Sequence, residues 1–405
     1  MRAQSARPNI GMDDRSDWRC EVANVQRPER VQTLIIGGGQ AGLSVGYHLQ
    51  RSGLPFLILD AHSRIGDAWR MRWDSLRLFT PARYDGLAGL PFPAPGDSFP
   101  TKDQMADYLE RYAAHFKLPV RTRTKVDKLS RQGNRFIVQA GDRRFEAENV
   151  VVAMSNHQQP KAPAFAARLD PNIVQIHSYD YRNPSQLRDG AVLIVGVGNS
   201  GADIGVEVAR THQTWLAGTE SGHVPFRMES FAGRFIFSRI VRFIGHHVLT
   251  VTTPIGRRLR PRMRLMAAPL IRVKPQDLLD AGITRVPRLT GVKDGRPMLA
   301  DGQALDVANV IWCTGFTNGF SWIDLPIFGA DGEPEYDRGI VPKVPGLYFV
   351  GLQFLYSMTS ETVGGVGRDA QRAVNAIAAR VHAERAAWKG QMAPELTSAV
   401  GVRAD

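Results

Sequence analysis

Val31-Gln32-Thr33-Leu34-Ile35-Ile36-Gly37-Gly38-Gly39-Gln40-Ala41-Gly42-Leu43 decides the fold. A short apolar run of strand type feeds a Gly-x-Gly-x-x-Gly turn, and helical spacing follows at Leu43, Val45, Tyr47 and Leu49. Such a turn brings backbone N–H groups close to a pyrophosphate, whose charge the helix N-terminus favours. Gly37 makes the tight turn, Gly39 the close approach and Gly42 the close contact of helix with strand. The next strand-like run, Phe56-Leu57-Ile58-Leu59, ends in Asp60, where an acidic side chain is expected to hold a ribose hydroxyl. The pattern recurs at Gly196-Val197-Gly198-Asn199-Ser200-Gly201, behind the apolar run from Ala191 to Val195. Two dinucleotide sites in one chain are therefore expected.

Outward from these turns, 405 residues suffice for two domains with developed cores, and the composition is that of an ordinary soluble globular protein. No apolar run reaches membrane-spanning length, and the N-terminus lacks a signal-peptide apolar core. Cys20 and Cys313 are the two cysteines, far apart, which argues against a disulfide framework, a zinc site or a dithiol redox centre. A reducing cytoplasm fits. The net charge of +12 is concentrated between Arg227 and Lys274, where Glu229 is the one negative side chain. It describes that segment, not a nucleic-acid-binding fold, and no nucleic-acid partner is expected.

Residues 1–30 read as a flexible polar arm. Gly66 suits a loop, and Trp69 either covers a flat ring system or fills a local gap. Prolines 91, 93, 95 and 100 mark a long excursion of the kind that often carries function. Thr101 can cap a helix bearing Met105, Tyr108, Leu109, Tyr112 and Phe116 on one face, and a small strand meander follows over 121–145. After the second turn, Thr214 to Ala217 reads as a strand that ends near Gly218-Thr219-Glu220. Glu220 there favours NADH, whereas NADPH wants an Arg.

Residues 223–275 read as a basic helical insert in which Phe231, Phe235, Ile236, Ile240, Phe243 and Ile244 recur near helical spacing. The favoured reading is a helix pair packed on the core with its basic face in water. A substrate-access lid and a membrane-surface helix are the alternatives. Short strands are expected at 284–300 and a buried one at 307–313. A further strand ends at Gly351, and a helix follows from about Gly364 to Trp388.

With both glycine turns, Gly66-x-x-Trp69 and Trp312-Cys313-Thr314-Gly315-Phe316, the chain resembles the flavin-containing monooxygenases over about residues 31–385. The likeness is to the bacterial branch near the plant YUCCA-type and the Baeyer–Villiger enzymes. Gly196 to Ile204 is its most specific piece, followed by Gly351-Leu352-Gln353 and Gly365 to Ala370. The resemblance implies an α/β fold of two Rossmann-like dinucleotide-binding domains, one for FAD and one for NAD(P)H, the second inserted in the first. The FAD domain would take 31–160 and 311–388, and the NAD(P)H domain 161–310 with the insert at 223–275. Carried over, Gly37, Gly39, Gln40, Ala41 and Gly42 would hold the FAD pyrophosphate and Asp60 its ribose. Trp69 and Thr80 would lie near the isoalloxazine, Val126 near the adenine, and Gly351 and Gln353 at the flavin end. Gly196, Gly198, Asn199, Ser200, Gly201, Thr219 and Glu220 would serve NADPH or NADH.

Three departures stand out. Thr80-Pro81 occupies the place of an Asn important for the peroxyflavin, Thr219 that of a phosphate-reading Arg, and the Baeyer–Villiger fingerprint is not intact. His177 is then either a relic of that fingerprint or a hydrogen-bonding histidine at the interdomain linker. The first linker reads Ala153-Met154-Ser155-Asn156 instead of the family's Ala-Thr-Gly. The implied activity is a flavin C4a-(hydro)peroxide monooxygenase that uses NAD(P)H and O2 on a small organic substrate. An NAD(P)H oxidase or dehydrogenase without oxygen insertion is the alternative, and a binding protein without turnover a third. No catalytic side chain and no metal site is assigned, and substrate and oligomeric state stay open.

Overall fold

The computed structural model describes residues 27–219, 222–265 and 268–399. The arm expected at 1–30 lies outside them as far as residue 26, whereas Glu29 and Arg30 already belong to the first strand.

The first half runs β1 (Glu29–Ile36), α1 (Gln40–Arg51), β2 (Phe56–Leu59), α2 (Asp67–Arg70), α3 (Lys102–His115), β3 (Val120–Arg121), β4 (Lys128–Gln132), β5 (Arg135–Ala140) and β6 (Arg143–Val152). The chain then crosses through β7 (Gln159–Pro160) into β8 (Val174–His177), β9 (Val192–Val195), α4 (Asn199–Val208) and β10 (Thr214–Ala217). The insert carries α5 (Ser238–Phe243), α6 (Pro254–Leu265) and α7 (Pro275–Asp280). Next come β11 (Thr284–Val286), β12 (Leu289–Lys293), β13 (Arg296–Leu299) and β14 (Asn309–Trp312). β15 (Phe316–Thr317), β16 (Leu347–Phe349) and α8 (Val363–Ala399) close the chain.

Two sheets result. One has the order β3-β2-β1-β6-β5-β4, with β16 also on β6; its centre is parallel and its β4-β5-β6 edge is the expected antiparallel meander. The other, β11-β10-β9-β14-β8, is parallel throughout. Strands covered on both faces read as unbroken apolar runs. This is why Leu34 to Ile36 and Val192 to Ile194 are buried without alternation. The chain is thus an α/β protein of two Rossmann-like domains, the second inserted in the first. The boundary expected at 311 falls inside β14, which pairs with β8 and β9 in the second sheet. The return to the first domain comes after Cys313, where β15 pairs antiparallel with β7, so that the two crossings lie side by side.

α3 begins at the expected cap. Thr101 Oγ1 accepts the Gln104 N–H, and Gln104 Oε1 accepts the Thr101 N–H. Its buried tyrosines tie down the proline-rich excursion: Tyr108 donates to the Leu90 carbonyl and accepts from the Leu87 N–H, while Tyr112 donates to Ala88. α1 lies against α8, which joins Leu43 and Leu49 to Val366, Ala370 and Ile377 in one core.

The insert is helical as expected, but its orientation is reversed. π-helical turns at Gly233–Phe237 and Ile244–Val248 flank α5. Gly233, Ser238 and Gly245 are the buried positions, while Ile236, Ile240, Phe243 and Ile244 face outward. The cause is close approach: a Cβ on Gly245 would meet Met358 Cε at 2.4 Å, and one on Gly233 the Arg227 carbonyl oxygen at 2.1 Å. The inner face is therefore small and polar.

Candidate functional site

Each glycine turn is built to the same plan. Gly37 has φ +110° and a methyl on Gly42 would fall 1.9 Å from the Gly37 carbonyl oxygen; Gly196 has φ +114° and Gly201 stands 1.9 Å from the Gly196 oxygen by the same measure. Neither side could carry a larger residue without moving helix from strand. Among the described residues, Gly39 has no atom within 4 Å of a built Cβ. It caps α1, and Gly198 caps α4, each in extended conformation, with no side-chain cap and no acid in the first turn, so that among the described residues no side chain takes up the first-turn N–H groups. Two helix N-termini are therefore left with free donors and a positive dipole end.

Both open onto one cleft of about 860 Å³. Gly37, Gly39, Gln40, Ala41, Asp60, Trp69, Thr80 and Val126 line it from the first domain, and Asn199 and Ser200 from the second. Trp69 Nε1 points at Gln40 Oε1 at 3.4 Å. Asp60 is buried, accepting from Gly38 N–H at 2.6 Å and from His62 N–H at 2.8 Å, with the His62 ring at 3.0 Å. Burial raises its pKa, but the bonds from His62 and Gly38 outweigh this and hold the carboxyl below its ordinary range. Its first task is thus to brace the glycine turn.

The other expected residues stand behind the cleft or away from it. Gly42, Gly196, Gly198 and Gly201 shape the turns from within and are not among the residues lining the cleft. Gly351, at φ +85°, backs onto Ala41, where a Cβ would sit 2.8 Å from the alanine methyl. Gln353 is engaged elsewhere: its backbone N–H donates to Asn156 Oδ1 at 2.7 Å and its amide to the Met263 carbonyl at 3.2 Å. Thr219 is exposed just past β10, and Glu220 lies outside the described residues. His177 accepts the Tyr179 N–H on Nδ1 and faces the Gly315 carbonyl with Nε2, the linker role of the two that its sequence context allowed.

Several groups at the cleft escaped the sequence reading. Arg72 lines it with its guanidinium 5.4 Å from the centre of the Tyr179 ring and 5.8 Å from that of Phe316. Among the described residues no carboxylate pairs with it, and burial pushes its pKa down. His157 also opens onto the cleft, where desolvation and then the Arg72 charge lower its pKa. Burial pushes the carboxyl of Glu361, on the cleft wall, up to about 7. Behind Thr80, whose hydroxyl donates to it, buried Asp85 is pushed up to about 7 as well, and its Oδ2 has no partner among the described residues. At the end of the second sheet, Arg285 of β11 reaches across to the Gly218 carbonyl at 3.1 Å. None of these sits in a recognisable spacing, since each comes from a loop or from a neighbouring strand.

Fold and cleft define a protein of two dinucleotide-type domains that share one cavity, and comparison with known proteins places it more closely. Residues 34–221 match the pyridine nucleotide-disulphide oxidoreductase family. An uncharacterized CzcO-like oxidoreductase of Geobacillus kaustophilus is 37% identical over 86% of this chain and 98% of its own. The solved flavin-containing monooxygenase from Stenotrophomonas maltophilia is 31% identical, covering 87% of this chain and 99% of that one at a TM-score of 0.69. The probable indole-3-pyruvate monooxygenase YUCCA3 of Arabidopsis thaliana is 28% identical over 86% of both chains. The chain belongs to the flavin-containing monooxygenase family and is an enzyme that works with a flavin and a nicotinamide cofactor.

Proposed function

We propose that this enzyme binds FAD on the first glycine turn and NADPH or NADH on the second, and uses O2 to oxygenate a small organic substrate in the cleft they share. One observation carries the reading: two uncapped helix N-termini, α1 and α4, open on the same cavity of about 860 Å³.

The cradle fits the group. Space at Gly39 and the free N–H donors of α1 suit a pyrophosphate, with Gln40 and Ala41 beside it. Asp60 and Val126 would hold the adenosine end, and Trp69 and Thr80 the ring system. Asn199 and Ser200 at the head of α4 would serve the nicotinamide nucleotide. When bound, the flavin supplies the redox and oxygen-activating chemistry.

The chain's own share is binding, shielding and proton handling. Leu76, Phe79, Met154 and Trp322 give the cleft apolar walls that keep water from the reacting centre. Arg72 brings a fixed cation to an anionic part of a ligand. Glu361, its carboxyl titrating near 7, can hold a proton on its carboxyl oxygen and deliver it to developing negative charge. Cys313, half-buried and with its thiol pushed up to about 12 by desolvation, has Cys20 as its one possible partner in the sequence, which supports oxygenation over disulfide reduction.

The test is coupling. Purified enzyme is given NADPH or NADH, O2 and a panel of amines, thioethers, ketones and 2-oxo acids, and nicotinamide oxidised is compared with oxygenated product and hydrogen peroxide. Product that matches consumption with one class supports the monooxygenase. Peroxide throughout would establish an oxidase, and protein without flavin would end both readings.

A further inference from the structure

A helix that packs on a core turns its apolar stripe inward. The insert does the opposite. Ile236, Ile240, Phe243 and Ile244 recur at helical spacing, and they are 51%, 47%, 61% and 40% exposed. Phe231, one turn earlier, is 76% exposed, and Ile255 at the head of α6 is 50% exposed. These are most of the large exposed apolar side chains among the described residues. Isolated surface apolar residues need no explanation, but a contiguous group does.

The inner face of the same segment is firmly held. Arg242 donates to the Gly364 carbonyl at 3.0 Å, the His246 ring meets Thr359 Oγ1 at 3.0 Å, and Arg368 donates to the His246 carbonyl at 2.7 Å. Thr253 Oγ1 donates to the Val248 carbonyl, which sets the start of α6 against the end of the preceding helical turn. The apolar face is thus presented on a fixed base.

Charge selects the occupant. Arg239 lies between Ile236 and Ile240, while Arg258 and Arg262 follow Ile255 on one face of α6; all three are exposed and, among the described residues, without a carboxylate partner. A second copy docked by its own matching face would set these arginines against each other, which is unfavourable. A surface with an apolar interior and anionic heads satisfies both features at once. No described helix is long and apolar enough to cross a membrane, so the contact is one of lying on the surface.

We propose that residues 231–262 form a docking face for an anionic lipid bilayer, with Phe231, Ile240 and Phe243 entering the headgroup boundary and Arg239, Arg258 and Arg262 on lipid phosphates. Inner-face partners Thr359 and Gly364 flank Glu361 to Val363 of the cleft wall, and Ile271 of the same excursion lines the cleft. Docking therefore sets the cleft beside the bilayer, so that apolar substrates dissolved in lipid have a short path to it.

Flotation of the full chain with vesicles tests this, comparing phosphatidylglycerol mixed into phosphatidylcholine with phosphatidylcholine alone. The expected result is binding to the anionic vesicles that weakens with salt. Ile240→Ser with Phe243→Ser should cut partitioning about tenfold or more, and Arg258→Gln with Arg262→Gln should remove the preference for anionic lipid. Flavin content and NAD(P)H oxidation without vesicles should match the parent in both variants, which shows that they fold. Absence of flotation at low salt would overturn the proposal. So would binding indifferent to both variants, or a dimer in sedimentation velocity that Ile240→Ser with Phe243→Ser turns into monomer.

Discussion

The side chain of Asn199 grips the backbone at Ile271: Oδ1 accepts the Ile271 N–H at 2.8 Å, and Nδ2 donates to the Pro269 carbonyl at 3.0 Å. The first residue of α4 thus ties down the segment by which the insert returns to its domain, and Asp203 adds an ion pair to Arg272 at 3.1 Å. Asn199→Ala should leave the Ile271 amide without its partner and cost about 1–3 kcal/mol locally. Faster hydrogen exchange over 268–275, with the first sheet unchanged, is the expected result. Equal exchange in both proteins would remove the bridge from the account.

The paired glycines separate the two cofactor sites. Gly42→Ala puts a methyl against the Gly37 oxygen, and Gly201→Ala one against the Gly196 oxygen. Each forced shift should cost about 1–3 kcal/mol. The first variant should purify with depleted flavin. The second should keep its flavin while reduction by nicotinamide slows about tenfold or more. Absorbance of the purified proteins and anaerobic stopped-flow reduction check both, and loss of flavin from the second variant would reverse the assignment.

Asp85 links stability to pH. Its folded carboxyl, pushed up to about 7 by burial, keeps a proton that the unfolded carboxyl releases near about 3.9. Between those values the native state binds more protons than the unfolded, so stability falls as pH rises. The contribution is whole below the unfolded value and is lost as pH passes the folded one. Asp85→Asn retains an acceptor for the Thr80 hydroxyl and should remove up to about 4 kcal/mol of this dependence. Thermal midpoints between about pH 5 and pH 8 should fall for the parent and stay flatter for the variant.

Thr219→Arg should raise use of NADPH over NADH about tenfold, because a guanidinium there joins Arg285 at the end of β10, where a 2′-phosphate would sit. The ratio of kcat/KM values for the two nucleotides measures it. An unchanged ratio would place the adenosine end elsewhere.

What could be read from the chain was what local backbone demands. Gly37, Gly39 and Gly42, and their counterparts at 196–201, are required within a few residues of one another by the turn itself, and Asp60 follows at the next strand end. Helical spacing found the residues of α3 and of the insert that share a face. It could not say which way a face points, and at 231–244 the usual assumption that apolar means inward gave the wrong side. Gln353 was expected at the flavin end through the family resemblance, and its own bonds run to Asn156 and Met263, contacts fixed by tertiary approach alone. Arg72, His157 and Glu361 converge from three separate loops, a relation that no spacing encodes.

The side-by-side crossings at β7 and β15 also set an order of manufacture. The sheet between them is complete in itself, drawing all its strands from Val174 to Trp312. The first sheet opens at Glu29 but must wait for Leu347 to Phe349, and α1 must wait for the helix that starts at Val363. A chain leaving the ribosome therefore closes its inner sheet while the outer one still lacks β16, its α1 face bare until the helix from Val363 emerges. In this protein the domain that is begun first is finished last.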